Sequence, residues 1–306
     1  MISLDVILKE LNTVFSSQFE IKRSLDNGAS LRKYWLLNDE NKNIFVLSYQ
    51  GNVISKYLST YGILIDHGLP VPKLLWHHLE YKMILTEYAD NKIFNTIWVK
   101  QPPSINEKVI QIMKKYRDIE ESYFTVSFYP DIFDIEWHEL IIPFVLNPKQ
   151  LDWWSGSILP LLKDCFGGDQ VPSHRDLQSS NILVNGDELV LIDFQDSMLI
   201  NPYYDICSLC WDSYVEMSFE KRTEISRRMS QNLSGRFDQK TYFLVSLQRK
   251  LHDIGAFVRA SDNGFEHFNT FIQPATLMCE YFIDKIGVSQ PEEGLWKQTK
   301  ISKYLS

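Results

Sequence analysis

The chain has 306 residues, which at roughly 100 to 200 residues per domain suggests two domains or one two-lobed one. Apolar residues make up 44% and charged residues 23%, with 18 Phe, 15 Tyr and 8 Trp, so a substantial core can form and wholesale disorder is excluded. Basic residues number 31 against 39 acidic, a net charge of −8 that argues against a general nucleic-acid or anionic-membrane binder while leaving room for a local phosphate pocket.

Four cysteines (Cys165, Cys207, Cys210, Cys279) are too few for a disulfide framework in a chain of this length. No apolar run approaches the ~20 residues that span a bilayer. The first fifteen residues place Asp5, Lys9 and Glu10 among their apolar positions, unlike a signal peptide. The expectation is a soluble, reduced, cytoplasmic protein.

The chain opens on an amphipathic helix with Leu4, Ile7, Leu8, Leu11 and Phe15 on one face. From residue 19 the period changes. FEIKRSL, LRKYWLL and NIFVLSY are strands joined by polar turns, a helix covers about 51 to 67, and KLLWHH and KMILTEY are two further strands. Beyond Tyr88 the character is helical. Ser104 with Glu107 forms a capping box, and apolar periods cover about 131–145, 151–165, 203–217, 239–259 and 268–286. One β interruption, ILVNGDELVLID, is a hairpin turning at Asn185-Gly186-Asp187. The layout is α+β: a small β-rich lobe over 1–87 and a larger, mainly helical lobe over 88–306.

The chemistry concentrates in His174-Arg175-Asp176-Leu177-Gln178-Ser179-Ser180-Asn181, the hairpin, and Asp193-Phe194-Gln195-Asp196. A hairpin sets its open ends side by side, so Asp176, Asn181 and Asp193 are expected to converge. Two carboxylates and an amide oxygen are hard donors suited to Mg²⁺, which keeps waters and takes phosphate oxygens. A carboxylate not consumed by metal can accept a proton from a hydroxyl. That is the division of labour in phosphoryl transfer from a nucleotide.

At these residues the sequence resembles the protein-kinase-like superfamily on its small-molecule branch, the aminoglycoside phosphotransferases, choline kinases and relatives. The resemblance implies a bilobal kinase fold, ATP and Mg²⁺ as cofactors, Asp176 as catalytic base, Asn181 and Asp193 as metal ligands, and His174 as support for the catalytic loop. Asp205 is read as a second structural tether. The third position after Asp193 is Gln195, not Gly, and only a few residues separate Asp196 from the Tyr204 helix, too few for a protein-substrate platform.

Three stretches sharpen the branch. LIDFQDS…NPYYDICSLCWDSY, LQRKLHDIGAFVR and GASLRKYW resemble the signatures of the anomeric cell-wall sugar kinases, which phosphorylate N-acetylmuramate and N-acetylglucosamine at C1. The resemblance implies a small-molecule acceptor, an amino sugar. The alternatives are an aminoglycoside- or choline-type kinase and a catalytically silent nucleotide-binding protein.

On the same resemblance, Gly28 and Ser30 lie in the phosphate-covering turn. The third strand has Ser48 and Tyr49 where most kinases carry a lysine, and Arg32 is the favoured substitute, with Lys33 as the other candidate. Glu87 and Tyr88 sit at the lobe crossing, where backbone groups would meet an adenine edge. Candidates for the acceptor pocket are Glu139, Asp196, Asp212 and Arg249. Trp153, Trp154 and Trp211 are expected in the core rather than on a sugar face. Cys207 and Cys210 have metal-like spacing but lie in an apolar helix, and buried thiols are expected. No Gly-x-x-x-x-Gly-Lys-Ser/Thr run exists, which excludes a P-loop kinase.

Overall fold

A computed structural model describes residues 3–25, 32–89, 92–98, 100, 103–292, 294–297 and 299–305. The chain divides into two compact units, Met1–Lys92 with Leu183–Gln195, and Ile93–Ile182 with Asp196–Ser306. The hairpin is thus part of the first unit although it lies far along the sequence.

The first unit begins with helix α1 (Leu4–Phe15), then strands β1 (Glu20–Leu25), β2 (Lys33–Asn38) and β3 (Ile44–Tyr49). Helix α2 (Ile54–Asp66) leads to β4 (Leu74–His78) and β5 (Met83–Glu87). The five strands form one antiparallel sheet in the order β1-β2-β3-β5-β4. Alternation buries one face: Leu37 of β2, Leu47 of β3, and Met83 and Leu85 of β5 pack on Ile7 and Leu11 of α1 and on Phe19. The chain leaves the unit through the two-residue β6 (Lys92–Ile93).

The second unit opens with α3 (Phe94–Trp98) and α4 (Pro103–Arg117). Four short helices follow, α5 (Phe133–Glu136), α6 (Ile142–Phe144), α7 (Leu151–Trp153) and α8 (Leu159–Phe166), linked by wider π-turns at Trp137–Ile141 and Trp154–Ile158. The expected helices of 131–145 and 151–165 are present, each carrying a wider π-turn within it. Pro143 and Pro160 remove helical N–H donors, and the wider turns absorb the mismatch. Strand β7 (Val171–Ser173) precedes the loop that carries Asp176. Next come the hairpin strands β8 (Ile182–Asn185) and β9 (Glu188–Leu191), and then β10 (Met198–Ile200), which pairs antiparallel with β7.

Helices α9 (Tyr204–Cys210), α10 (Phe219–Ser234), α11 (Gln239–Asp262) and α12 (Asn269–Ile286) complete the unit. Sixteen residues of α11 are buried, and α12 packs against it. Trp154 and Trp211 are fully enclosed, as are Cys207 and Cys210, whose thiols burial pushes up, that of Cys210 to about 12. Trp153 is half-buried and donates to the Ser289 carbonyl at 3.1 Å.

Candidate active site

The pairing of β7 with β10 delivers the chain to His174, which is fully buried with its ring edge against Tyr116 at 6.0 Å. His174 Nδ1 accepts the Asp176 N–H at 3.3 Å. Asp205, in the first turn of α9, accepts the N–H groups of His174 (2.8 Å) and Arg175 (2.9 Å). Arg175 has φ +72°, a left-handed conformation costly for a long side chain. That geometry persists because both of its ends are held, the N–H by Asp205 and the guanidinium by Glu136 Oε1 at 2.7 Å.

A second brace grips the far end of the loop. Asp212 Oδ2 accepts the Ser179 N–H at 2.7 Å and Oδ1 the Tyr214 N–H at 2.8 Å. Asp212 is 1% exposed, so the acceptor-pocket expectation for it is corrected: both its oxygens serve backbone amides. This also explains why α9 stops at Cys210 instead of continuing to 217, since the chain turns here to meet Asp212.

These braces present Asp176, whose side chain is 35% exposed. Its Oδ1 accepts from Gln178 Nε2 (2.5 Å) and Arg249 (2.7 Å). Its Oδ2 accepts from Asn181 Nδ2 at 3.0 Å, and the same amide nitrogen also reaches the Asp176 carbonyl at 2.9 Å. With Oδ1 doubly engaged, Oδ2 keeps the greater capacity to take a proton. Burial works against the charged carboxylate, but Arg249, Gln178 and His174 outweigh it and hold the group below the usual range.

Arg249 is itself enclosed, at 2% exposure, and is shared between Asp176 and Asp253, the latter at 3.0 Å. Its guanidinium lies 5.8 Å over the Tyr204 ring. Lys250, also buried, pairs with Asp253 at 2.6 Å. Arg249, expected in the acceptor pocket, thus directs its charge onto Asp176 and Asp253. Glu139 is exposed, and the buried carboxylate of that segment is Glu136, which binds Arg175 and accepts from Gln248 Nε2 at 2.7 Å. Asp196 is half-buried and close enough to Arg175 to act on its charge.

In the first unit, Asp193 follows β9 and has φ +62°. Phe194 next to it is buried against Tyr57 (4.9 Å) and Tyr61 (6.4 Å) of α2, which fixes the backbone carrying Asp193. The Arg32 guanidinium forks onto this carboxylate, one nitrogen on Oδ1 and the other on Oδ2 at 3.1 Å. Lys33 points outward and is exposed. Ser48 of β3 is buried and accepts from Gln50, so β3 offers no cation there.

Glu87 is half-exposed, faces Lys73 at 3.7 Å, and already donates its N–H to the Lys73 carbonyl at 3.0 Å. Its backbone N–H, expected near an adenine edge, is thus already engaged. Gly28 and Ser30 lie outside the described residues.

The donor chemistry suits magnesium. Asn181 has its Nδ2 on Asp176, which leaves Oδ1 as its side-chain donor, and Asp193 supplies a carboxylate; both are hard oxygen ligands. Among the described residues no group of three or more His, Cys, Asp and Glu is arranged to hold a metal. No helix among them is long and apolar enough to cross a membrane.

Sequence reasoning missed Gln178, Glu136, Gln248 and Asp253. Three of the four lie inside the quoted motifs, Gln178 two positions after Asp176, Gln248 one before Arg249 and Asp253 four after it on α11, and helical spacing was a signal for Asp253 alone.

Known structures share this fold. Choline kinase LicA from Streptococcus pneumoniae superposes with a TM-score of 0.66 at 15% identity, over 92% of this chain and 98% of that one. An ethanolamine kinase from Plasmodium vivax gives 0.66 at 16% identity, over 90% and 84%. Aminoglycoside phosphotransferase APH(4)-Ia, as a thermostable mutant with ADP and hygromycin B, gives 0.64 at 14% identity, over 92% and 99%. No curated protein is similar enough in sequence to count as a match. Residues 23–224 match the family model described as the phosphotransferase enzyme family, APH, and the chain belongs to that family.

Proposed function

We propose that the protein transfers the γ-phosphoryl group of ATP to a hydroxyl of a small molecule, and that the acceptor is the anomeric hydroxyl of an amino sugar such as N-acetylglucosamine or N-acetylmuramate. The observation that carries the reading is Asp176. It is an ionised carboxylate on a loop braced at both ends, with Oδ1 occupied and Oδ2 able to take a proton.

In this reading Asp176 Oδ2 receives the hydroxyl proton as the acceptor oxygen attacks phosphorus. Arg249 and Gln178 hold the carboxylate in one orientation, and the Asp205 and Asp212 tethers keep the loop from yielding. Asn181 and Asp193 would hold Mg²⁺, which when bound neutralises charge on the phosphates. Arg32 is assigned to the phosphates in place of the third-strand lysine. Tyr88 and the Glu87 carbonyl are assigned to the base.

Two features favour a sugar over a cationic amine. The buried carboxylates near Asp176 are spoken for, Glu136 by Arg175, Asp253 by Arg249 and Lys250, and Asp205 and Asp212 by backbone N–H groups. A quaternary or primary amine calls instead for unmatched negative charge or an aromatic cage. Second, α11 carries the LQRKLHDIGAFVR stretch and delivers Gln248, Arg249 and Asp253 to this cluster.

A cavity of about 500 Å³ in the second unit, walled by Tyr214, Met217, Phe271 and Met278, has the volume of a small-molecule site. Tyr214 lies near enough to Asp253, Asp212 and Asp176 for their charges to act on its hydroxyl. An ADP-release screen of purified protein with MgATP over N-acetylglucosamine, N-acetylmuramate, choline, ethanolamine and hygromycin B tests the reading. Turnover with an amino sugar is expected. Turnover only with choline, ethanolamine or hygromycin B overturns the acceptor, and ADP release with none of them overturns the enzymatic reading.

A further inference from the structure

Asp193 is already paired within its own unit. Arg32, on the residue before β2, addresses both carboxylate oxygens at once, the planar fork geometry that guanidinium forms with carboxylates and phosphates alike. The pair is partly sheltered, its side chains 20% and 31% exposed. Asp193 has little freedom to turn away, because its backbone is left-handed and Phe194 is wedged against Tyr57 and Tyr61. Tyr34 and Tyr57 flank the pair. Burial holds both phenols protonated, Tyr34 up to about 12, opposed by Arg32 and reinforced by Asp193, so neither supplies a competing charge.

We propose that Arg32 is a latch on Asp193, and that the site takes a divalent cation only as its complex with a nucleoside triphosphate. This rests on the reading of Asp193 as a cation ligand. A bare cation would have to displace the guanidinium and shed tightly held water. In return it would gain the Asp193 carboxylate alone, since among the described residues no group of three or more His, Cys, Asp and Glu is arranged to hold a metal. A triphosphate changes that balance. Its oxygens offer the Arg32 fork more negative charge than Asp193 does, so the guanidinium moves to phosphate and the carboxylate is freed for the cation the phosphates carry. One side chain thereby couples the two ligands, each binding better with the other than alone.

The test uses Mn²⁺ as the cation, its free concentration read by electron paramagnetic resonance, with and without the non-hydrolysable analogue AMP-PNP. Wild-type protein is expected to bind Mn²⁺ weakly alone and tightly with AMP-PNP. Arg32→Gln is expected to bind Mn²⁺ alone about fivefold more tightly, the release of a partly exposed ion pair. The same variant is expected to bind AMP-PNP roughly 10- to 100-fold more weakly, from the loss of charge-assisted hydrogen bonds. Arg32→Lys, which keeps the charge without the fork, should fall between wild type and Arg32→Gln on both axes.

A merely structural Arg32 would weaken both affinities together, and that result, or an unchanged Mn²⁺ affinity, overturns the latch. Asp193→Ala separates the two readings. It is expected to abolish Mn²⁺ binding in the presence of AMP-PNP, and survival of that binding overturns the cation role of Asp193 itself. Thermal unfolding of each variant confirms that a folded protein is being titrated.

Discussion

Replacing Gly255 by alanine sets two opposing effects against each other inside α11. Alanine favours the helical state over glycine by about 1 kcal/mol, so at an open helical position the change would stabilise. At Gly255 a Cβ would lie 2.8 Å from Leu140 Cγ, 3.1 Å from the Leu140 carbonyl oxygen and 3.2 Å from Cδ1. Ordinary carbon contacts are ~3.5–4.0 Å, so the helix and the Leu140 segment must separate by roughly 0.7 Å. Leu140 is 5% exposed and the second obstacle is backbone, so neither can swing aside.

Overpacking of this kind costs about 1–3 kcal/mol, and with backbone as one obstacle the upper part of that range applies, leaving a net loss of up to roughly 2 kcal/mol. The same displacement would pull Gln248 from Glu136 and Arg249 from Asp176, so turnover should fall more than stability alone explains. Urea unfolding followed by the fluorescence of the enclosed Trp154 and Trp211, alongside kcat, measures both. An alanine variant that unfolds at higher urea would refute the packing argument.

Asp176→Asn should lower turnover by roughly 10² to 10⁴ with nucleotide affinity retained, measured by coupled ADP release and by AMP-PNP titration. Asp212→Ala strips acceptors from two backbone N–H groups at a fully buried site, and thermal unfolding should show a loss of about 1–3 kcal/mol for each donor left unsatisfied, with Asp212→Asn milder because one oxygen remains. Acidification should show two stages in unfolding free energy. Asp205 and Asp212 are raised by burial, so between neutrality and the ordinary carboxylate range they bind protons in the folded state first and favour it. In Glu136 and Asp253 burial opposes the charge but is outweighed, by His252 and Arg175 for the one and by Arg249 and Lys250 for the other. The stability these two contribute is present above the ordinary carboxylate range and is lost below it. A steady decline of stability from pH 7 downward would contradict this assignment.

The sheet was legible because short runs of aliphatic, β-branched and aromatic residues are set off by polar turns, and β1 to β5 fall within a few residues of those runs. Helix α10 was not. Its sequence FEKRTEISRRMSQNLS turns Arg222, Ser226 and Ser230 inward beside Ile225 and Met229, so the apolar stripe on the buried face is thin. Arg222 is tolerated there because its guanidinium caps the carbonyls of Cys210, Asp212, Val215 and Met217. The site shows the same division. Asp176 and Asn181, singled out by their spacing ahead of the hairpin, do meet at 3.0 Å. The distinction between Glu136 and Glu139 depends on which way a segment interrupted by a π-turn faces, and local sequence does not encode that phase.

The hairpin Leu183–Gln195 has a consequence for how the chain assembles. Its Leu191 N–H meets the Pro70 carbonyl at 2.7 Å, and Phe194 fills the space beside Tyr57, so the amino-terminal unit lacks part of its packing until residue 195 has been synthesised. A fragment ending at Lys92 would leave Tyr57 and Tyr61 without their aromatic neighbour and Arg32 without its carboxylate. Supplying the hairpin as a separate peptide should restore order to such a fragment, which makes the ribbon a late-arriving keystone in biosynthesis.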